Sequence, residues 1–187
     1  MDLELAMTKY LISDLTKALQ WLPLGILFAL IFCFVVRLLV RQGNLQKKTK
    51  ADGIFTALFF AYLFVILCIT YFSRESGSSS GFDMRLGSTW GINDRNNAFV
   101  LENILLFLPL GMLAPRVYPL YRNLFYCTLA GFLLSTFIEV IQVLTGRGFF
   151  QIDDILTNTL GMCLGGLINL VVRGVIALWK RIKNLRG

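Results

Sequence analysis

The sequence predicts an all-α fold: a polytopic membrane bundle of about five transmembrane helices, N-terminus outside and C-terminus cytoplasmic. Three observations predict it. The 187 residues are 56% hydrophobic, with a mean hydropathy of +0.68, above the roughly 45–50% apolar content of soluble domains. The apolar residues gather in runs. Gln20–Val40 has 21 residues and one charge, Arg37, and Gly53–Tyr71 has 19 residues and none. A bilayer-crossing helix needs about 20 such residues, and a soluble domain of this size has no room for helices apolar on every side. Third, the charges segregate between alternate loops. These features exclude a soluble globular enzyme, a disordered tail and a coiled coil.

Taken in order, Met1–Ala18 is amphipathic, with Leu3, Met7, Tyr10, Leu11 and Leu15 at helical spacing and Asp14 interrupting the face. It either lies on the membrane surface or extends the first span. Its scattered charges do not read as a cleavable signal peptide. The first span is about Trp21–Val40, with Pro23 and Gly25 near its start, where a helix tolerates them. A polar loop, Arg41–Lys50, leads to the second span, Gly53–Tyr71. Ser73–Ala98 is the longest polar stretch and reads as loop with at most a short interfacial helix. The third span, Phe99–Leu113, is closed by Pro115. Its 15 residues reach only about 22 Å, short of a roughly 30 Å hydrocarbon core. The fourth span is Leu124–Leu144. A tight glycine-bearing loop, Thr145–Gln151, precedes the fifth, about Ile155–Val172, and a basic tail follows. The whole chain, 1–187, reads as a single domain with its motif-bearing core at 99–172.

The net charge of +7 belongs to topology here, with no nucleic acid implied. Arg37–Asp52, Arg116–Arg122 and Arg173–Arg186 hold twelve of the basic residues and one acid. The other side holds six basic residues and ten acids. Five spans with the N-terminus outside place all three basic clusters in the cytoplasm. Histidine is absent, which excludes histidine metal ligation and histidine acid–base chemistry. Cys33, Cys68, Cys127 and Cys163 lie inside apolar runs and read as small buried hydrophobes.

That topology collects the intramembrane polar residues beneath the outer interface. Glu102 and Asn103 open the third span. Glu139 and Gln142 close the fourth. Asp153, Asp154 and Asn158 open the fifth, and Arg147 lies in the loop between them. Ser135, Glu139 and Gln142 share one helix face, at i, i+4 and i+7. Asn103, Phe107 and Gly111 share another, as do Asp154, Asn158, Gly161 and Gly165. The Gly161–Gly165 step permits close helix approach. Carboxylates in a membrane pair or line a functional cavity. Here Arg74, Arg85 or Arg95 folds in, or some carboxyls are protonated, or a divalent cation sits among them. A purely structural network pinning helix ends in register remains open beside a ligand site. Pro109 and Pro115 shape the third span.

Asn103-Ile104-Leu105-Leu106-Phe107-Leu108-Pro109-Leu110-Gly111 resembles the first signature of the VanZ-like family. Glu139-Val140-Ile141-Gln142, Gly146-Arg147-Gly148-Phe149-Phe150 and Asp153-Asp154-Ile155, followed by Asn158 and Gly161, resemble the second. The resemblance implies a multi-pass protein of the bacterial cytoplasmic membrane and a link to low-level resistance to teicoplanin, a lipoglycopeptide. It implies no particular reaction.

Three functions are compatible with these residues. In the first, Glu102, Asn103, Glu139, Gln142, Arg147, Asp153, Asp154 and Asn158 bind a membrane lipid, a lipid-linked cell-wall precursor or the antibiotic at the outer leaflet. In the second, Glu139, Asp153 and Asp154 serve as acid and base, with Arg147 steadying a developing anion on a lipid-linked substrate. The third is a small transporter, which polarity confined to one layer disfavours. Pro109, Gly111, Gly161 and Gly165 are structural in each case. No organic cofactor is expected. A homo-oligomer is compatible with the small-residue faces but not required.

Overall fold

A computed structural model describes residues 2–41, 50–75, 77, 79–91 and 93–185. The expected basic loop thus falls mostly outside the described residues, at 42–49, as does Arg186 in the tail. The elements are α1 (Asp2–Leu19), α2 (Leu22–Arg41), α3 (Lys50–Leu67), a π-helical turn (Cys68–Phe72), β1 (Ser79–Asp83), α4 (Asp94–Val117), a 3₁₀ turn (Pro119–Arg122), α5 (Leu124–Leu144), β2 (Arg147–Gln151) and α6 (Ile152–Leu185). Among the described residues, five helical stretches are long and apolar enough to cross a membrane: Ala6–Val36, Gly53–Phe72, Asp94–Val117, Leu124–Leu144 and Ile152–Leu185. The fold is the expected all-α polytopic bundle.

Only the turn at Gln20–Trp21 parts α1 from α2, and the first apolar stretch runs through it. The amphipathic segment therefore extends the first span. Its polar side is spent on α4: Arg95 pairs with Asp14 at 3.1 Å and lies over the rings of Tyr10 and Phe99, a cation–π arrangement favoured in low dielectric. α2 packs on α3 through rings, with Phe28 stacked on Phe64 at 4.7 Å and Phe32 against Phe60 at 4.8 Å.

The third span is longer than its apolar run suggests. α4 has 24 residues, about 36 Å at 1.5 Å each, and so can cross without thinning the bilayer. Two local causes extend it. Asn93 caps its start, accepting the Asn96 N–H at 2.8 Å, so the helix includes the polar residues before Phe99. Pro115 does not close it, because only the last turn lacks that N–H. The carbonyl that Pro115 leaves unpaired, Gly111 O, takes the Cys127 thiol at 3.9 Å.

α4 and α6 cross at backbone contact. A Cβ on Gly161 would land on the Ile104 carbonyl, one on Gly165 on the Leu108 carbonyl, and one on Gly111 on the Met162 carbonyl. Asn169 donates to Met112 O at 2.8 Å below this crossing. Small residues at such positions let dispersion and hydrogen bonds replace the hydrophobic drive that lipid removes. Around the crossing, Ile66, Phe107, Leu110, Ala114, Cys127, Ile138 and Met162 form the buried core. Beside Pro109, the Tyr62 hydroxyl donates to Leu106 O at 2.9 Å.

The loops at the other end hold a two-stranded parallel ladder, β1 with β2, pairing Ser79 with Arg147 through Asp83 with Gln151. This corrects the expectation of loop for both segments. The glycine- and serine-rich β1 shows no apolar alternation, and its partner lies 68 residues away, so neither strand announces itself locally.

Candidate functional site

The π-helical turn positions the site. Its wider winding, with Ser73 N donating to Cys68 O at 2.9 Å, turns carbonyls toward neighbouring elements, and such turns recur at functional sites. Gln142 donates to Thr70 O at 2.7 Å. Arg147 donates to Tyr71 O at 3.2 Å and to Arg74 O at 2.6 Å, and its guanidinium lies 4.6 Å from the Tyr71 ring centre. Arg147 thus clasps the chain as it leaves α3.

The chain so held carries Arg74, which stays exposed. Its Nη1 lies 3.4 Å from Gln142 Oε1, a long contact. A Cβ on Gly148 would meet the same nitrogen at 2.5 Å, so a larger residue there would displace the Arg74 guanidinium from this position. Arg74 is an electrostatic neighbour of both Glu139 and Asp154, and Asp154 is one of Glu139. Glu139 is 3% exposed, and its Oε2 accepts the Gln151 N–H at 2.9 Å. Asp154 Oδ1 accepts from Asn103 Nδ2 at 2.9 Å. One turn deeper, Asn158 Nδ2 donates to Ser135 Oγ at 2.9 Å, and Asn158 Oδ1 is buried without a hydrogen-bond partner among the described residues. Asn103, Glu139, Gln142, Asp154 and Asn158 therefore converge, joined by Arg74.

Two expected site residues lie elsewhere. Asp153 faces the loop after β1, its Oδ1 accepting the Gly87 N–H at 2.8 Å and its Oδ2 the Thr89 N–H at 2.9 Å. Glu102 faces α1, where Asp14, Arg95 and Lys17 are its electrostatic neighbours. Arg85 is likewise accounted for, bonded to Asp83 at 3.1 Å. Of the three loop arginines named from the sequence, Arg74 is the one at the acids. No local pattern distinguishes it; the π-turn and the space at Gly148 do. Among the described residues no group of three or more cysteines and carboxylates is disposed to hold a metal ion.

An apolar groove of about 340 Å³ runs beside the cluster, lined by Leu67, Tyr71, Phe72, Phe137, Ile138 and Ile141. Tyr71 connects the two: one edge of its ring lines the groove, and Arg147 covers it. A polar cluster thus lies at the edge of a slot fit for hydrocarbon.

No curated protein and no solved structure gives a significant match to the chain. The VanZ/LLP1 family profile matches residues 59–173, which run from within α3 into α6 and include every residue of the Arg74–Glu139–Asp154 cluster, and the chain belongs to that family.

Proposed function

We propose that this protein binds the headgroup of an envelope lipid, or the polar core of a lipoglycopeptide, at the outer leaflet of the bacterial cytoplasmic membrane. In this reading the N-terminus is outside and the C-terminus cytoplasmic, as the loop charges favour. The observation that carries it is Arg74, which stands at the ladder end of the bundle as the electrostatic neighbour common to buried Glu139 and half-buried Asp154. A guanidinium suits phosphate by paired donation, and carboxylates and the Asn103 and Gln142 amides suit sugar hydroxyls. The groove beside Tyr71 has the size of a small ligand pocket and the lining an acyl chain requires. Occupying a precursor lipid here would alter what an antibiotic meets outside the membrane, consistent with the family's link to teicoplanin resistance.

A second reading rests on one further feature. Glu139, buried, and Asp154, half-buried, are neighbouring acids with Arg74 as a common cation, and a pair of carboxyls in unlike surroundings can divide into acid and base. An enzyme acting on a lipid-linked substrate would use them so.

The test is teicoplanin susceptibility of cells carrying Arg74→Gln, Glu139→Gln or Asp154→Asn. Resistance should fall to the vector baseline with membrane abundance unchanged. Unchanged resistance would count against a shared site, and loss of the proteins from the membrane would favour a structural network.

A further inference from the structure

We infer that the segment Phe82–Trp90 is a membrane-interface wedge, whose partner is the lipid surface of the leaflet at the ladder end of the bundle. The inference does not depend on the headgroup reading. It rests on an inverted polarity. Phe82, Met84, Leu86 and Trp90 are 72%, 62%, 69% and 55% exposed, although the segment lies outside every helix. Its carboxylate, Ser88 hydroxyl and turn N–H groups fold back into hydrogen bonds instead, leaving Arg85 as its exposed polar side chain. Asp83 Oδ1 accepts the Arg85 N–H at 3.2 Å and Arg85 Nε at 3.1 Å, and Ser88 Oγ donates to Asp83 Oδ2 at 3.1 Å. Asp153, on the first turn of α6, takes the Gly87 and Thr89 N–H groups, with Ser88 Oγ at 3.4 Å. Gly87 and Gly91 adopt φ of 76° and 73°, the left-handed turns that such folding back requires.

A water-facing loop would show the reverse pattern, and four large apolar side chains presented together mark a contact surface. The occupant follows from position and charge. Spanning helices flank the segment, α4 resuming at Asp94 just beyond Gly91, so its tip starts at membrane level. Trp90 has the amphipathic ring that collects at headgroup depth. Arg85, 84% exposed in its side chain, stands among the apolar groups where lipid phosphates lie. The wedge is braced by Asp153 directly before Asp154, so its depth of insertion fixes the level at which the Arg74 cluster meets the bilayer.

The test uses the full chain reconstituted in phosphatidylcholine vesicles. Its three tryptophans reduce to Trp90 in a Trp21→Phe/Trp179→Phe variant. Emission should be blue-shifted and quenched more by lipids brominated near the headgroup than by those brominated near the chain ends. Red-shifted emission, quenched by aqueous acrylamide and indifferent to brominated lipid, would overturn the inference and leave the patch to a protein partner. Should the double variant not fold, the difference between the unsubstituted protein and Trp90→Phe reads the same component, with the same two outcomes.

Discussion

Glu139 Oε2 accepts the Gln151 backbone N–H at 2.9 Å, so one buried carboxylate both faces Arg74 and holds the end of β2 onto α5. The two roles separate by substitution. Glu139→Gln keeps an acceptor for Gln151 and removes the charge. It should leave the melting temperature in detergent within a few degrees of the parent while abolishing resistance. Glu139→Leu strands a buried N–H, which costs about 1–3 kcal/mol, and should lower both.

Arg74 and Arg147 should behave differently despite their closeness. Arg147 holds two carbonyls of the chain leaving α3, whereas Arg74 makes one long contact to Gln142. Arg147→Gln should accelerate amide exchange over residues 71–75. Arg74→Gln should leave that exchange unchanged and still remove resistance. Hydrogen exchange by mass spectrometry on both variants decides the assignment.

Backbone contact at the α4–α6 crossing predicts intolerance of a single methyl. Gly165→Ala places a Cβ on the Leu108 carbonyl, which no rotamer change relieves, and should cost about 1–3 kcal/mol or more. On the same helix, a Cβ at Gly174 would meet nothing within 4 Å among the described residues. Gly174→Ala should be neutral or stabilising by up to about 1 kcal/mol. Thermal unfolding of the two in one detergent gives the comparison.

The loop after β1 should loosen in acid. Hydrogen bonds from the Arg85 side chain, then the Arg85 N–H, then Ser88, hold Asp83 below its ordinary value of 3.8. A depressed carboxyl contributes stability that is complete above its unfolded value and lost as pH falls through the folded one. Trp90 emission should therefore stay constant down to that ordinary value and change below it. In Asp83→Asn the acid transition should lose the part that Asp83 supplies, leaving any part that comes from Asp153, which holds the same loop.

Much of this architecture was legible because membrane spans write themselves in long apolar runs. The faces Ser135–Glu139–Gln142 and Asp154–Asn158–Gly161–Gly165 followed from helical spacing, and the structure joins them through Asn158 and Ser135. Less was legible where partners are distant. Arg74 was one of three candidates, and the π-turn, which no residue pattern announces, selects it together with the space at Gly148. Asp153 and Asp154 are neighbours in sequence, yet helix geometry sends one to the loop and the other to the cluster. Pro115 reads as a stop, but Cys127 attends the carbonyl it leaves behind.

The most direct test of the central claim is native mass spectrometry of the full chain extracted from bacterial membranes, beside Arg74→Gln prepared identically. The account predicts a retained lipid adduct on the unsubstituted protein and its loss, by tenfold or more in occupancy, from a variant that melts at the same temperature. Equal occupancy in the two proteins would contradict a headgroup site at Arg74, Glu139 and Asp154.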